Sequence, residues 1–464
     1  MSGWHGLHEL PYPGDAAPWF EMLADKPWAA FLDSGRPFGG CGRYDILCAD
    51  PYMTVVTRGH MTEIRTCRNV ILTPDDSFRV LAKLLRPSPI VSPQIPFAGG
   101  AVGYFGYDLG RRIESLPVMA QDGEHIPTMA VGLYDWAVVV DHEARRAWLA
   151  GQGNHAETRL LWPDLVERFR DIPAMRTRSG FRLLGPLISN MTRADYARRF
   201  GHIQHYIREG DCYQVNLAQR FSAPADGDPW GAYRALRQSS AAPFGAYLQT
   251  PFANILSNSP ERFLAVRDGR VETRPIKGTR PRSPDPESDR KLADELINSP
   301  KDRAENLMIV DLIRNDLGKS AELGSVEVNE LFSLESYATV HHLVSTITAR
   351  LPPGRSPLEL LRDCFPGGSI TGAPKLRAME IIEELEPHRR GVYCGAIGYV
   401  GSDGRMDTNI AIRTLVHGGG EVRFWAGGGI VADSRVDEEY QETLDKAAAM
   451  LRLLECTELS HVGG

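Results

Sequence analysis

Apolar residues recur along this chain with two periods, and no internal repeat links them. Up to residue 173 they form short strand-like runs cut by turn residues, as in Tyr44–Cys48, Val131–Asp141 and Ala147–Leu149. One helix interrupts these runs. Asp75 and Asp76 offer its cap, and Phe78, Leu81, Leu84 and Leu85 form its apolar stripe. Residues 174–190 carry neither period and predict a connector. A second helix starts after Thr192, with Asp195 where a capping box usually has Glu or Gln. Its Tyr196, Phe200, Ile203 and Ile207 recur at steps of three and four. Tyr213–Phe221 alternates like a strand, and Arg262–Val266 and Val271–Ile276 flank the hairpin signal Asp268-Gly269. Helices are predicted over 287–298, 301–317, 374–385 and 437–455. Strands are predicted at Ala396–Val400, Asn409–Val416 and Val422–Ala426. Hairpin-joined strands with helices in separate blocks predict an α+β fold with antiparallel sheets.

Composition narrows the function classes. The 464 residues allow one large domain or two ordinary ones. Apolar and charged contents of 42% and 24% are globular values. A net charge of −7 leaves no basic footprint, which argues against nucleic acid as a partner. No run approaches the roughly 18 apolar residues of a membrane span. Met1–Leu10 lacks the basic-then-apolar order of a signal peptide. Seven cysteines (41, 48, 67, 212, 364, 394 and 456) are scattered without a CxxC pair. They predict neither a disulfide framework nor a zinc site, and the expected setting is a reducing cytoplasm.

Several residues break their local pattern. Asp302, Glu305, Ile309 and Leu312 share one helical stripe that begins acidic and turns apolar. Buried acids there need a cation or a proton, whereas an exposed first turn needs only the helix dipole. On the last helix Glu438, Glu442 and Lys446 sit four apart beside Glu439, a spacing that surface pairs also adopt. Arg413 shares a predicted strand face with Ala411 and Leu415. It suits a carboxylate clamp or a snorkelling edge position. Pro366–Lys375 and Gly427–Gly429 read as glycine-rich turns that let backbone approach an anion. Lys277 ends a predicted strand just before a glycine and is either a desolvated nucleophile or a solvated surface lysine. Glu261 opens another strand. His341 and His342 cannot both face one side, and His202 and His205 read as surface. Together these residues suggest a small polyanionic substrate held through magnesium. They do not give the reaction.

The same stretches resemble the chorismate-utilising family. Its members include anthranilate synthase component I, aminodeoxychorismate synthase component I, isochorismate synthase and salicylate synthase. The matching stretches include GDCYQVNLAQRF, SNSPERFL, RPIKGTRPR, KDRAENLMIVDLIRNDLG, TVHHLVSTI, CFPGGSITGAPKLRAMEII, GAIGYV, NIAIRTL, AGGGIVADS and YQETLDKA, in the family's order across residues 190–450. The resemblance implies large antiparallel sheets packed as a sandwich with helices outside. It implies an N-terminal region over 1–185 and a chorismate-binding region over 190–455, intertwined in one globular unit.

It also implies roles. Glu305 and Glu442, assisted by Glu439, would bind Mg²⁺ facing the ring carboxylate of chorismate. Arg413, Tyr393 and the amides of Gly427, Gly428 and Gly429 would grip the enolpyruvyl side. Lys446 and Ser369 would contact carboxylates, and His342 would sit near the ring carboxylate. Glu261 would be the general acid at the C4 hydroxyl, since hydroxide leaves poorly. Water-adding members carry a lysine where this chain has Gln214. Anthranilate synthases carry Ala in PIAGT where this chain has Lys277, and PIKGT is typical of the enzymes that aminate chorismate at C4. There Lys277 would attack C2 as the C4 hydroxyl departs, and ammonia would then attack C4 and expel the lysine.

Leu32-Asp-Ser34 and Arg43-Tyr44 resemble half of the family's tryptophan pocket, and Pro243-Phe244 the other half. The fuller motifs of anthranilate synthases are missing, so an occupied pocket is expected to be structural. No glutaminase nucleophile turn is present, which implies a separate glutamine amidotransferase subunit. The alternatives are anthranilate synthase component I and a non-enzymatic tryptophan-binding relative.

Overall fold

The computed structural model describes residues 6–39, 42–337 and 340–459, the last four by backbone alone. Residues 1–5 of the leader reading and the side chains of Cys41 and Cys456 lie outside the described residues. Among those described, Cys48, Cys67, Cys212, Cys364 and Cys394 are free thiols. No described helix is long and apolar enough to cross a membrane.

Two antiparallel sheets organise the chain. The first has 13 strands. Its path runs Gly6–Leu10, Arg146–Gly151, Trp136–Asp141, Tyr44–Cys48, Ala29–Asp33, Phe244–Gln249, Asn254–Ser259, Thr414–Gly418, Glu421–Ile430 and Gln214–Asp226. The second has 12. It runs from Ile276–Pro281 through Val340–Arg350, Arg270–Thr273, Arg262–Arg267, Met406–Ile410, Ala396–Gly401, Gly100–Phe105, Met129–Tyr134 and Met53–Arg58 to Met61–Thr66 and Val70–Thr73. Both sheets therefore draw strands from before and after residue 190.

The strand faces show why runs such as Val131–Asp141 are apolar throughout. Val138 and Val140 pack outward, under the helices that cover the first sheet. Val139 and Ala137 between them pack inward, against Val102, Tyr104 and Ile397 of the second sheet. Met129, Val131 and Leu133 face the opposite outer layer, where Phe78, Leu81, Val310 and Leu361 come from helices. The result is helix, sheet, sheet, helix, the sandwich that the family resemblance implies.

The periodic helices form near their expected bounds. They are Ser77–Leu84, capped by Asp76, and Arg193–Arg208, whose Thr192–Asp195 capping box is complete. Pro286–Asn298, Pro300–Gly318, Lys375–Leu385 and Val436–Leu459 follow. The connector contains two short strands, Arg182–Leu183 and Ile188–Ser189, paired to Gln214–Asp226.

Three expectations are corrected. Asn409–Val416 is not one strand. Met406–Ile410 belongs to the second sheet and Thr414–Gly418 to the first, and the chain crosses between them with Arg413 at φ +53°. Residues on both sides of the break are apolar, so the alternation hides it. Gly427–Gly429 is not a turn but the end of strand Glu421–Ile430, paired to Asn216–Ala218. Lys277 does not end its strand. It lies inside Ile276–Pro281, where the register with Val340–Arg350 slips between Ile276 and Thr279. That slip is a bulge that re-aims a side chain.

Candidate active site

The site forms where the first sheet loses a strand. Thr414–Gly418 pairs with Glu421–Ile430 only as far as Leu415 opposite Phe424. Beyond it the chain has turned away at Arg413. The glycine segment therefore keeps one edge bonded to Asn216–Ala218 and leaves the other without a strand among the described residues. Side chains cannot be added there. A Cβ on Gly427 would stand 2.6 Å from Leu217 O, and one on Gly429 would stand 2.3 Å from Gln214 Nε2.

Gly428 marks where two acids of the C-terminal helix converge. Its Cβ would lie 3.2 Å from both Glu439 Oε2 and Glu442 Oε1. Glu439 is buried and accepts a hydrogen bond from Ser434 Oγ at 2.6 Å. Burial raises its pKa, and the neighbouring Glu442 charge adds to the rise. Burial also works to raise Glu442, but the Lys446 ammonium outweighs it and the carboxyl is held below its ordinary range. Lys446 Nζ pairs with Glu442 Oε1 at 2.5 Å and donates to Gly427 O at 3.1 Å. Arg413 Nη1 donates to Lys446 O at 2.7 Å. One tie thus joins the helix, the glycine edge and the crossover.

The second sheet supplies Lys277, Glu261 stands just before its strand Arg262–Arg267, and Ser369 joins them. Ser369 Oγ donates to Glu261 Oε1 at 2.9 Å, while Ser369 O accepts from Lys277 Nζ at 3.1 Å. Glu261 is 7% exposed. Burial raises its pKa despite the nearby positive charges of Lys277 and Lys446. A carboxyl that keeps its proton is what a general acid requires. Lys277 Nζ also meets Glu305 Oε1 of helix Pro300–Gly318 at 3.2 Å. Neither side chain is more than 16% exposed, so the solvated-surface reading of Lys277 fails. Asp302, on the same stripe, pairs with Arg280 at 3.2 Å.

His342 accepts or donates at Thr279 Oγ1 across 2.9 Å. Burial and the Arg413 charge push its pKa down to about 4, so the ring is neutral near pH 7. His341 turns the other way, to Ser336 and Asp289. His202 and His205 are exposed, as read from the sequence. Tyr393 stacks on Trp425 with centroids 6.0 Å apart. Gln214 is fully buried. Its Nε2 donates to Asn216 Oδ1 at 3.2 Å, and its Oε1 has no hydrogen-bond partner among the described residues.

Sequence reasoning missed the residues that brace this arrangement. Asn216 Nδ2 donates to Ser369 O at 3.2 Å. Arg390 and Glu386 form a buried two-point ion pair at 2.8 and 2.9 Å, and Arg390 also holds Ile370 O and Asn216 O. The available signal was Arg390 four residues after Glu386, just past an apolar helix face.

Glu305, Glu439 and Glu442 are oxygen donors, which a hard divalent cation prefers. Each now leans on an ammonium group: Lys277 for Glu305, Lys446 for Glu442, and Lys301 for Glu439 at 3.8 Å. No three acidic, imidazole or thiol groups among the described residues stand together as a metal cluster. The acids fit a cation that would take over charge now offset by lysines.

The second candidate pocket lies further along the first sheet. Strand Ala29–Asp33 pairs with both Tyr44–Cys48 and Phe244–Gln249, so its two halves are neighbours. Ser34 gives its N–H and hydroxyl to Asp45 at 2.7 and 2.6 Å. A Cβ on Gly42 would stand 2.7 Å from both Pro243 O and Ser34 Cα. Arg43 is paired within the chain. It grips Asp141 at 2.8 Å and lies 4.8 Å over the Tyr44 ring. The guanidinium of Arg262 covers Phe244 at 4.9 Å.

Comparison with known proteins gives the family. Residues 43–452 match the family described as chorismate binding enzyme. Aminodeoxychorismate synthase component 1 of Salmonella typhimurium is 50% identical over 96% of this chain and 97% of its own length. The protein of that name from Escherichia coli K12 is 49% identical over 95% of this chain and 96% of its own. The crystal structure of anthranilate synthase component I from Streptococcus pneumoniae superposes with a TM-score of 0.78 at 32% identity, covering 88% of this chain and 92% of that one. The stacked sheets, the carboxylates gathered on a glycine edge and these full-length likenesses agree, and the chain belongs to the chorismate binding enzyme family.

Proposed function

We propose that this chain is the synthase component of an aminodeoxychorismate synthase, converting chorismate and ammonia to 4-amino-4-deoxychorismate. The observation that carries the reading is Lys277, seated in the site and bridged to Glu261 through Ser369. An alanine at 277, as in the anthranilate enzymes, could not act as a nucleophile. The two relatives of the aminodeoxychorismate name, at 49–50% identity, support the same choice.

Arg413, Tyr393 and the glycine edge would hold the enolpyruvyl carboxylate, with Lys446 and Ser369 on the carboxylates and Gln214 on the ring. Glu261 would give its proton to the C4 hydroxyl, which leaves as water while Lys277 forms a bond to C2. Ammonia would then bond to C4, and Lys277 would leave as the ring double bond returns. His342, neutral and tied to Thr279, would hold its place beside the ring carboxylate. Glu305 and Glu442, with Glu439, would hold Mg²⁺. When bound, the ion neutralises the ring carboxylate and helps it stabilise charge developing in the ring.

Relatives called component 1 imply a second component, and a glutamine amidotransferase fits that place as the ammonia source. Ser34, Pro243 and Phe244 would wall a tryptophan site of structural use, and any retained tryptophan would appear in the supernatant after denaturation. The deciding experiment incubates the chain with chorismate, Mg²⁺ and ammonium and identifies the product by mass, with and without aminodeoxychorismate lyase. Conversion by the lyase to p-aminobenzoate supports the proposal. Direct release of anthranilate would overturn it in favour of the tryptophan branch.

A further inference from the structure

A small cavity lies against Glu261, and the glycine edge does not line it. Glu261 and Ser369 line it together with Phe263, Thr273, Ile313 and Leu317. Lys277, Glu305, Glu439, Glu442 and Arg413 do not. It leaves 20 Å³ for the centre of a water-sized molecule, enough for one. Asp316 also lines it, with its charge met by Lys319 at 3.0 Å and by Lys375.

We propose that this cavity is the waiting site of neutral ammonia, delivering it to C4 from the Glu261 side. The inference rests on the function proposed above. Three observations point the same way. The cavity has room for one molecule of the size of water or ammonia. Its walls are mainly aromatic and aliphatic, its charged residues Asp316 and Arg262 are already paired with Lys319 and Asp407, and an ammonium ion would lose its hydration there. It also opens beside the group that faces the departing C4 hydroxyl. The two displacements at opposite ring positions return nitrogen to the face that oxygen left, so the nucleophile must arrive past Glu261. Glu261 is a carboxylate once its proton has left with the hydroxyl as water. The ammonia lone pair then forms the C4–N bond, the ring double bond shifts, and the C2–N bond breaks with its electrons returning to Lys277 as a neutral amine. Glu261 takes the extra proton from the new C4 ammonium and is again an acid.

Ile313 is half-buried on helix Pro300–Gly318 and lines the cavity, and it is not among the groups proposed to hold substrate or metal. Two variants test the route, with ammonium salts as nitrogen source and wild type assayed alongside. Ile313→Phe fills the space and should raise the KM for ammonia by about 10-fold or more, with the KM for chorismate within about 2-fold of wild type. Ile313→Ala widens it and should admit methylamine, giving an N-methyl product by mass that wild type does not make. Unchanged ammonia KM in folded Ile313→Phe, or equal rises in both KM values, would overturn the cavity route while leaving C4 amination intact. A wild type that forms no C4-aminated product would overturn the parent reading and this one with it.

Discussion

Lys277 and Glu305 form an ion pair 3.2 Å apart, so the proposed nucleophile is held by one of the proposed metal ligands. The two come from different elements, a bulged strand and the second turn of a helix. Loss of either partner changes the charge seen by the other.

Replacing Lys277 by alanine should abolish C4 amination and remove any species in which chorismate carbon is bound to the protein. Intact-protein mass after a quench without ammonia reads the adduct directly. A Lys277→Ala enzyme that still aminated C4 at full rate would end the covalent mechanism.

Glu261→Gln keeps the size and a hydrogen-bonding group for Ser369 but has no acidic proton to give. The turnover rate should fall on the order of 10²–10⁴-fold with chorismate affinity nearly unchanged. Because burial raises the Glu261 pKa, its folded form keeps the proton at pH values where an unfolded Glu has lost it. Stability from this group is therefore present at low pH and lost as pH rises through the folded value. The glutamine variant should lack that loss in a melting-temperature series, and equal slopes for both proteins would contradict the assignment.

Gly428→Ala places a methyl group 3.2 Å from each of two carboxylate oxygens. We expect a rise of about 10- to 100-fold in the Mg²⁺ concentration needed for half-maximal rate, comparable to disturbing the surroundings of a metal ligand. Chelation should silence the wild type, and added Mg²⁺ should restore it. An unchanged Mg²⁺ requirement in the alanine variant would move the metal away from Glu439 and Glu442.

His342 is held neutral, with its pKa pushed from 6.5 down to about 4. Between these values the unfolded chain binds a proton that the folded chain refuses, so stability is lost as pH falls through that window. His342→Gln should flatten the acid limb of the melting curve. The same limb in both proteins would show that another group controls it.

Arg390→Ala would strand Glu386 in the interior, where its carboxylate is 4% exposed. The expected destabilisation is about 3–5 kcal/mol. Denaturant unfolding measures it, and a cost below 1 kcal/mol would mean that water enters or Glu386 takes up a proton.

Much of this architecture was legible in the sequence because it follows from period. The capped helices at Asp76 and Thr192 and the Asp268-Gly269 hairpin need only local chemistry. The acids on helix Val436–Leu459 were visible as a spacing, but that spacing is shared with surface pairs. What made them special is Gly428 opposite, brought there by strand pairing. The crossover at Arg413 was hidden because residues on both sides of it are buried, one set in each sheet. The partner of Arg43 was hidden for a related reason: sequence gives the cation but not Asp141, 98 positions away, which pairs with it. Asn216 and Arg390 brace the site through the backbone carbonyls of Ser369, Ile370 and Asn216, and no residue pattern encodes those contacts.

The mixed origin of the strands has an evolutionary consequence. Residues 173–180 have no regular structure and form no rung of either sheet, while strands on both sides of them interleave in both. A gene split at that point would yield two polypeptides, neither able to complete a sheet alone, whose shared strand edges would drive them to assemble. The proposed active-site residues all lie in the second piece. The first would persist as an obligatory mould, inherited with the catalyst although it contributes none of the groups proposed to perform the chemistry.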